Sequence, residues 1–521
     1  MAAAFSLLAF ESHRYGLSLS HLLIYLGYEI AGCFAGLFLI WSFYRRNRPI
    51  LELLLSGWAV VRVLMVVTHV VVASVDQSAN GAMLAARIVQ YGVLALAGVG
   101  VLTQILAHRQ RLRKGGSTPE CETGGYLWMV FGLTAVLVVI RMVVSYEGHE
   151  VVSQGDNLSY ENQVVHYCRK GFDPLFMLKS FPHIIITSHY HLVGDIPVHF
   201  LFRVLLPFSN IVVLAVGLSA LIGTRNESPI AGIIGPIFIL FFTCMDHVFF
   251  QNPEHNWYGP SRNTLPLQIL FNPYVGAFAI SVWSIVVVFR VRQYRFGDLL
   301  LIFLTFAPMA YFRPFIFYPC IAGFIAFVTL RGIDSRRLPI EDLKVAAVLF
   351  CGVLILVFQF QAKNQINKGP EGLFPSVILF WGRIQKWTLI NYFERAPLTT
   401  LNVLLMIPLQ WVLGLGVASI AVFRGLCSKR MLLATGDDSK VSWLFYAGFA
   451  GYTVPTILNF EPDIGNNVTQ FATTFFVFMA IVFWMDTWKL IEQSRYRRLW
   501  LSLVILQMVL VFPFTLFFSR G

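Results

Sequence analysis

The feature that most constrains this chain is a succession of long apolar runs, at 18–43, 50–74, 83–107, 126–146, 197–223, 229–250, 267–290, 298–312, 315–331, 345–361, 398–424, 442–459, 470–489 and 499–518. At roughly 20 residues per bilayer crossing, about fourteen such runs take up a little over half the chain. Composition agrees: 57% of the 521 residues are hydrophobic and 13% charged, against ~45–50% and ~25% in ordinary globular proteins. A soluble fold could not hide that surplus in its core. The sequence therefore predicts an all-α, polytopic integral membrane protein of about fourteen transmembrane helices. The remaining residues suffice for loops and surface helices and leave no room for a large soluble catalytic domain.

The excess of 39 Lys and Arg over 27 Asp and Glu reads first as topology. Placing Arg45, Arg46 and Arg48 in the cytoplasm fixes every later loop by alternation. The loops then placed inside carry Arg109, Arg111, Arg113 and Lys114; Arg225; Arg290, Arg292 and Arg295; Arg331, Arg336, Arg337 and Lys344; Arg424, Lys429, Arg430 and Lys440; and Lys489, Arg495, Arg497 and Arg498. The bias holds along the chain and puts both termini outside, so the positive charge carries no case for nucleic acid. The short runs 298–312 and 315–331, broken by Pro308, Pro314 and Pro319, can equally form a re-entrant hairpin. The first residues contain Glu11 and lack the basic start of a cleaved signal.

Three regions are expected: an N-terminal bundle of three helices over 1–125, a membrane core over 126–331, and C-terminal membrane helices over 332–521 with an outer interfacial helix at 375–397, where Trp381, Trp387 and Phe393 alternate with charges. The long outer stretches 147–196, 251–266 and 362–397 gather the polar chemistry. Seven scattered cysteines show no paired motif, and a Cys168–Cys320 disulfide outside the membrane is one option.

Candidate residues follow from these stretches. In the first, Asp156 and Glu161 stand just outside the bilayer, where a carboxylate can take a proton from a hydroxyl or hold a divalent cation. Asp156 also fits as the N-cap of a helix starting near Leu158. His189, His191, Asp195 and His199 could be a zinc site, although no second motif completes it; Asp195 equally suits the N-terminal dipole of the next span. In the second stretch, Asp246, His247 and His255 stand beside Arg262, which could clamp a phosphate. Arg313 between two short spans, Lys363, and Asp463 in a Pro/Gly-containing turn complete the set. Glu29, Glu52, Arg62, Arg87, Arg141 and Arg203 fall within spans and show no two-fold symmetry of the kind expected in transporters. P-loop, Rossmann, nucleophile-elbow and HExxH motifs are absent from any credible context.

A span ending in Arg141, the outer Asp156 and Glu161, the stretch YENQVVHYCRKGF and then DIPVHFLFRVLL resemble, over residues 126–331, the start of the GT-C superfamily of membrane glycosyltransferases. The carboxylates are split by four residues, the acidic loop follows the fourth span rather than the first, and the last span is followed by no outer domain. The resemblance implies a polyprenyl-phosphate-linked sugar as donor, a lipid or glycan acceptor, and transfer on the outer face of a plasma membrane of bacterial type. Under it, Asp156 is base or anchors Mg or Mn, Glu161 supports it, Arg262, Arg313, Lys363 and His191 face the donor phosphate, and Asp195, His199, Asp246, His247, His255 and Asp463 line the substrate site. Two rival readings stand beside it. One is a transporter or lipid flippase; the other rests on GLSALIGTR followed by MDHVFFQNPEHNWYG, which is similar to relatives of the vitamin K-dependent carboxylase.

Overall fold

The computed structural model describes residues 19–43, 49–113, 124–146, 156–171, 181–193, 198–201, 205–243, 245, 272–312, 314–336, 338–367, 400–435, 440–457 and 469–517. The chain is an all-α membrane protein: about 90% of the structure is helical, and no strand occurs among the described residues. In chain order the principal helices begin with α1 (Leu19–Phe43), α2 (Ile50–Val75), α3 (Ala79–Arg113), α4 (Gly124–Tyr146), α5 (Asp156–Lys170) and α6 (Phe181–Val193). They continue with α7 (Leu206–Ile222), α8 (Pro229–Phe241), α9 (Asn272–Arg290), α10 (Phe296–Phe306), α11 (Pro314–Ser335) and α12 (Ile340–Asn367). The last are α13 (Thr400–Leu415), α14 (Ile420–Cys427), α15 (Lys440–Ile457), α16 (Thr469–Val482), α17 (Trp488–Glu492) and α18 (Arg497–Phe517).

Among the described residues, six stretches are long and apolar enough to cross a membrane: Leu19–Trp41, Ile50–Val72, Ala79–Leu106, Ile316–Ser335, Ile407–Cys427 and Thr473–Gln493. Their surfaces carry the stronger argument. On α3, Leu84, Ile88, Leu94, Leu102, Ile105 and Leu106 are exposed, and on α18 so are Leu499, Ile505, Leu506 and Val509. A water-facing helix would be polar there, so these faces are built for lipid. Two of the apolar runs are shaped differently from the expectation. The run 298–312 is broken into α10 and a single turn at Met309–Phe312, because Pro308 has no N–H to continue the ladder. The run 315–331 extends to Ser335 and is long enough to span alone.

The chain forms two compact units. The first comprises Met1–Ala220, Leu270–Phe312 and Cys351–Asn367. Its centre is α2, which is mostly buried, and α1 packs against α2 and α3 and buries Leu22, Tyr25, Leu37 and Ile40. The two backbones meet at Gly36 and Gly57: a Cβ on Gly36 would lie 2.1 Å from the Gly57 carbonyl. Small residues at such crossings let membrane helices pack closely. At one end of the unit Arg290, in the last turn of α9, donates to Glu52 in the first turn of α2 at 2.5 Å and to the Ala220 carbonyl at 3.1 Å. Each charge sits at the helix end its sign favours.

The second unit comprises Leu221–Ile269, Arg313–Phe350 and Lys368–Gly521. Its core is aromatic, with the rings of Trp484 and Trp488 tilted against each other at 4.9 Å and Phe475 among Trp411, Phe449 and Tyr452. Gln507 reaches from α18 to receive the Val417 N–H at 2.7 Å and to donate to the Phe242 carbonyl at 2.8 Å, satisfying backbone left open where helices end. Trp443 donates to the Cys320 carbonyl at 2.9 Å, and Cys320 is buried. Cys168 and Cys320 are both free, so the disulfide option is corrected.

Candidate functional site

The long outer stretch 147–196, in which a helix was expected from near Leu158, contains two helices that are part of the first unit. α5 ends where Gly171 adopts φ +93° and returns its N–H to the Tyr167 carbonyl at 3.0 Å. A Cβ there would strike the Gln77 carbonyl at 2.1 Å. Glycine is required both for the conformation and for the contact, which presses the end of α5 onto the turn between α2 and α3. That turn is itself ordered, since Asp76 accepts the Ser78 N–H at 3.0 Å, and this bonding holds the Asp76 carboxyl below its usual range.

Along its inner face α5 buries Val164 and Tyr167. The Tyr167 hydroxyl meets His69 Nδ1 at 3.1 Å, and His69 Nε2 meets the Ser188 hydroxyl of α6 at 2.7 Å. Gln90 of α3 donates to the Ser188 carbonyl at 2.7 Å. Hydroxyls can give or take a proton, so His69 is satisfied as a neutral ring. Burial raises the Tyr167 hydroxyl well above its normal range and pushes the Cys168 thiol up to about 11, which leaves both protonated and unreactive at neutral pH.

One residue further along α6, His189 enters a second cluster. Its Nε2 meets Glu29 Oε1 at 2.8 Å and its Nδ1 meets the Ile185 carbonyl at 2.9 Å. Glu29 Oε2 accepts the Trp58 indole N–H at 2.8 Å and Arg62 Nη2 at 2.5 Å; the same Nη2 also bonds Oε1. The guanidinium lies 4.7 Å from the Trp58 ring centroid, within cation–π range. Tyr25 and Tyr28 place their rings 5.2 and 5.1 Å from His189, and Tyr25 bonds Ser209 of α7 at 3.0 Å. Glu29 and Arg62 stand near the middle of the spans Leu19–Trp41 and Ile50–Val72. Ionisable side chains at that depth are costly and mark functional sites by default.

Among the sequence-predicted residues, His191 has a described side chain. It is half-buried on α6, its Nε2 has no partner, and burial, then the charge of Arg87, lowers its pKa. His189 and His191 lie about 200° apart around the helix and serve different neighbours, so the zinc pairing is corrected. Among the described residues no group of three His, Cys, Asp or Glu is disposed to hold a metal. Asp156 opens α5 and Glu161 lies within it, Lys363 lies within α12, and His199 lies in a short helix at Val198–Phe200. The side chains of these four, and Asp195, Asp246, His247, His255, Arg262, Arg313 and Asp463 altogether, lie outside the described residues, as does the interfacial helix expected at 375–397. The pairing of Glu29 with Arg62 and His189 was missed in the sequence. The available signal was that Glu29 and Arg62 each fall mid-span in consecutive helices.

Comparison with protein-family models, curated proteins and solved structures yields no match for this chain.

Proposed function

We propose that this protein is an outer-face membrane glycosyltransferase of GT-C-like build, with about fourteen spans, that moves a sugar from a polyprenyl-phosphate carrier to a lipid or glycan hydroxyl. The observation that carries the reading is the anchoring of α5. The helix that Asp156 opens is fixed at its far end by Gly171 against the α2–α3 turn and on its inner face by Tyr167. A reactive group on a helix held in this way keeps its position. In the proposed step Asp156 takes the proton of the acceptor hydroxyl, whose oxygen attacks the anomeric carbon, and the bond from that carbon to the phosphate oxygen breaks. The carrier leaves as polyprenyl phosphate. Glu161 supports Asp156, Lys363 meets the phosphate, and Mg or Mn at Asp156 is a variant of the same chemistry.

The test is transfer from undecaprenyl-phosphate hexoses to a lipid acceptor by the purified chain. Asp156→Asn is expected to lower turnover by roughly 10²–10⁴-fold, the usual contribution of a general base. Undiminished transfer would remove Asp156 from the mechanism.

A second reading, a lipid or glycan transporter, draws support from the ionisable Glu29–Arg62 pair near the middle of two spans. Proteoliposomes that translocate a fluorescent lipid-linked glycan equally well with Asp156→Asn would favour it over transfer.

A further inference from the structure

The hydrogen bonds around Glu29 count its protons. A carbonyl oxygen only accepts, so His189 Nδ1, facing the Ile185 carbonyl, carries a hydrogen. Glu29 receives Trp58 and Arg62 and is therefore a carboxylate, so His189 Nε2, facing Oε1, carries one as well. His189 is an imidazolium. Two cations, Arg62 and His189, then share one anion, Glu29, in a site where Arg62 and His189 are each 2% exposed. The guanidinium commits one nitrogen to both carboxylate oxygens in place of the two parallel bonds of a fork. Its Nη1 and Nε are buried without partners, and so is the hydroxyl of Tyr28, itself 3% exposed and close enough to feel the Arg62 charge. A water molecule would satisfy donors but not the unbalanced charge.

Among the described residues, no other anion supplies that charge. Facing His189 or its helix are Tyr25, Tyr28 and Glu29 from α1, Arg62 and His69 from α2, Arg87 from α3 beside His191, and Tyr167 from α5 bonded to His69. Arg290 of α9 is tied to Glu52. Among these, Glu29 alone faces the cluster as an anion.

We infer that Arg62, His189 and Tyr28 form a binding site for a monovalent oxyanion of the phosphodiester kind, which Arg62 holds through Nη1 and Nε. The site does not depend on the glycosyltransferase reading, and the same chemistry could come from a lipid headgroup or a free solute.

The full-length protein in maltoside micelles, which contain no phosphate, is titrated with dimethyl phosphate in one arm and phosphatidylglycerol in the other. Phosphatidylcholine is the control lipid. Binding is read by calorimetry and by the shift in melting temperature. The wild type is expected to bind at least one probe. Binding of both probes identifies a site for small solutes, and binding of phosphatidylglycerol alone a headgroup site. Arg62→Met is expected to abolish binding, and His189→Gln to weaken it roughly tenfold or more. If Arg62→Met does not fold, the wild type and His189→Gln decide. Failure of the wild type to bind either probe, or unchanged binding in His189→Gln, would each overturn the inference.

Discussion

The two compact units bury polar groups for different ends. In the second unit, Gln507 is used on the Val417 N–H and the Phe242 carbonyl, and Asn226 on the Trp484 carbonyl at 3.1 Å. Both side chains are neutral amides: Gln507 meets backbone left open near helix ends, and Asn226 meets a carbonyl within the π-turn Phe483–Thr487. In the second unit's described ion pairs the cation keeps part of its surface open: Arg424 with Asp486 at 2.5 Å, Arg331 with the buried Asp342 at 2.7 Å, and the exposed Lys344 with Glu341. In the first unit, Glu29, Arg62 and His189 are charged, bond chiefly to one another, and leave donors unmet. Polar groups that close backbone gaps are explained by folding alone. Charges gathered mid-span with open valences are not, which is why function is sought in the first unit.

The difference can be broken most forcefully at Glu29. Glu29→Gln leaves Arg62 and His189 without their shared anion and is expected to cost about 3–5 kcal/mol, as breaking a buried pair does. Joint replacement as Glu29→Gln with Arg62→Met should recover most of that loss, read as thermal unfolding of the purified protein. A double variant as unstable as the single one would show that the pair is needed for the fold itself. In the second unit Gln507→Leu should cost about 1–3 kcal/mol by leaving backbone groups unsatisfied, with no change in transfer or anion binding; a loss of either in a folded variant would erase the contrast. The smallest effect belongs to His191. Its folded pKa is lowered, so the folded state binds fewer protons than the unfolded one near the ordinary histidine value. Its contribution is present above about pH 6.5 and lost as pH falls through the folded value. His191→Gln should therefore flatten the decline in melting temperature on the acid side, and a parallel decline in both proteins would count against it.

Reading the sequence went furthest where one physical rule dominated. Backbone in hydrocarbon must satisfy itself, so apolar runs such as 18–43, 50–74 and 83–107 are helices, and α1, α2 and α3 are found there. A helix near Leu158 was legible for a similar local reason, a capping residue type ahead of a helical pattern, and α5 begins two residues earlier, at Asp156. The interior of 147–196 was harder. His189 and His191 look alike as letters, and nothing local tells that one side chain meets Glu29, 160 positions away in sequence, while the other lies beside Arg87.

By itself, then, the sequence determined that this is a helical chain for a bilayer, because apolar content and run length are properties of the residues alone. It also set which residues carry charge at mid-span. The tertiary structure decided which of those charges meet. Glu29 and Arg62 lie on neighbouring helices brought together at the Gly36–Gly57 crossing, and His189 reaches them because Gly171 and Tyr167 hold α5, and with it α6, against the bundle. Partnership between distant side chains depends on backbone separations of a few ångströms, and no run of letters encodes those until the helices have packed.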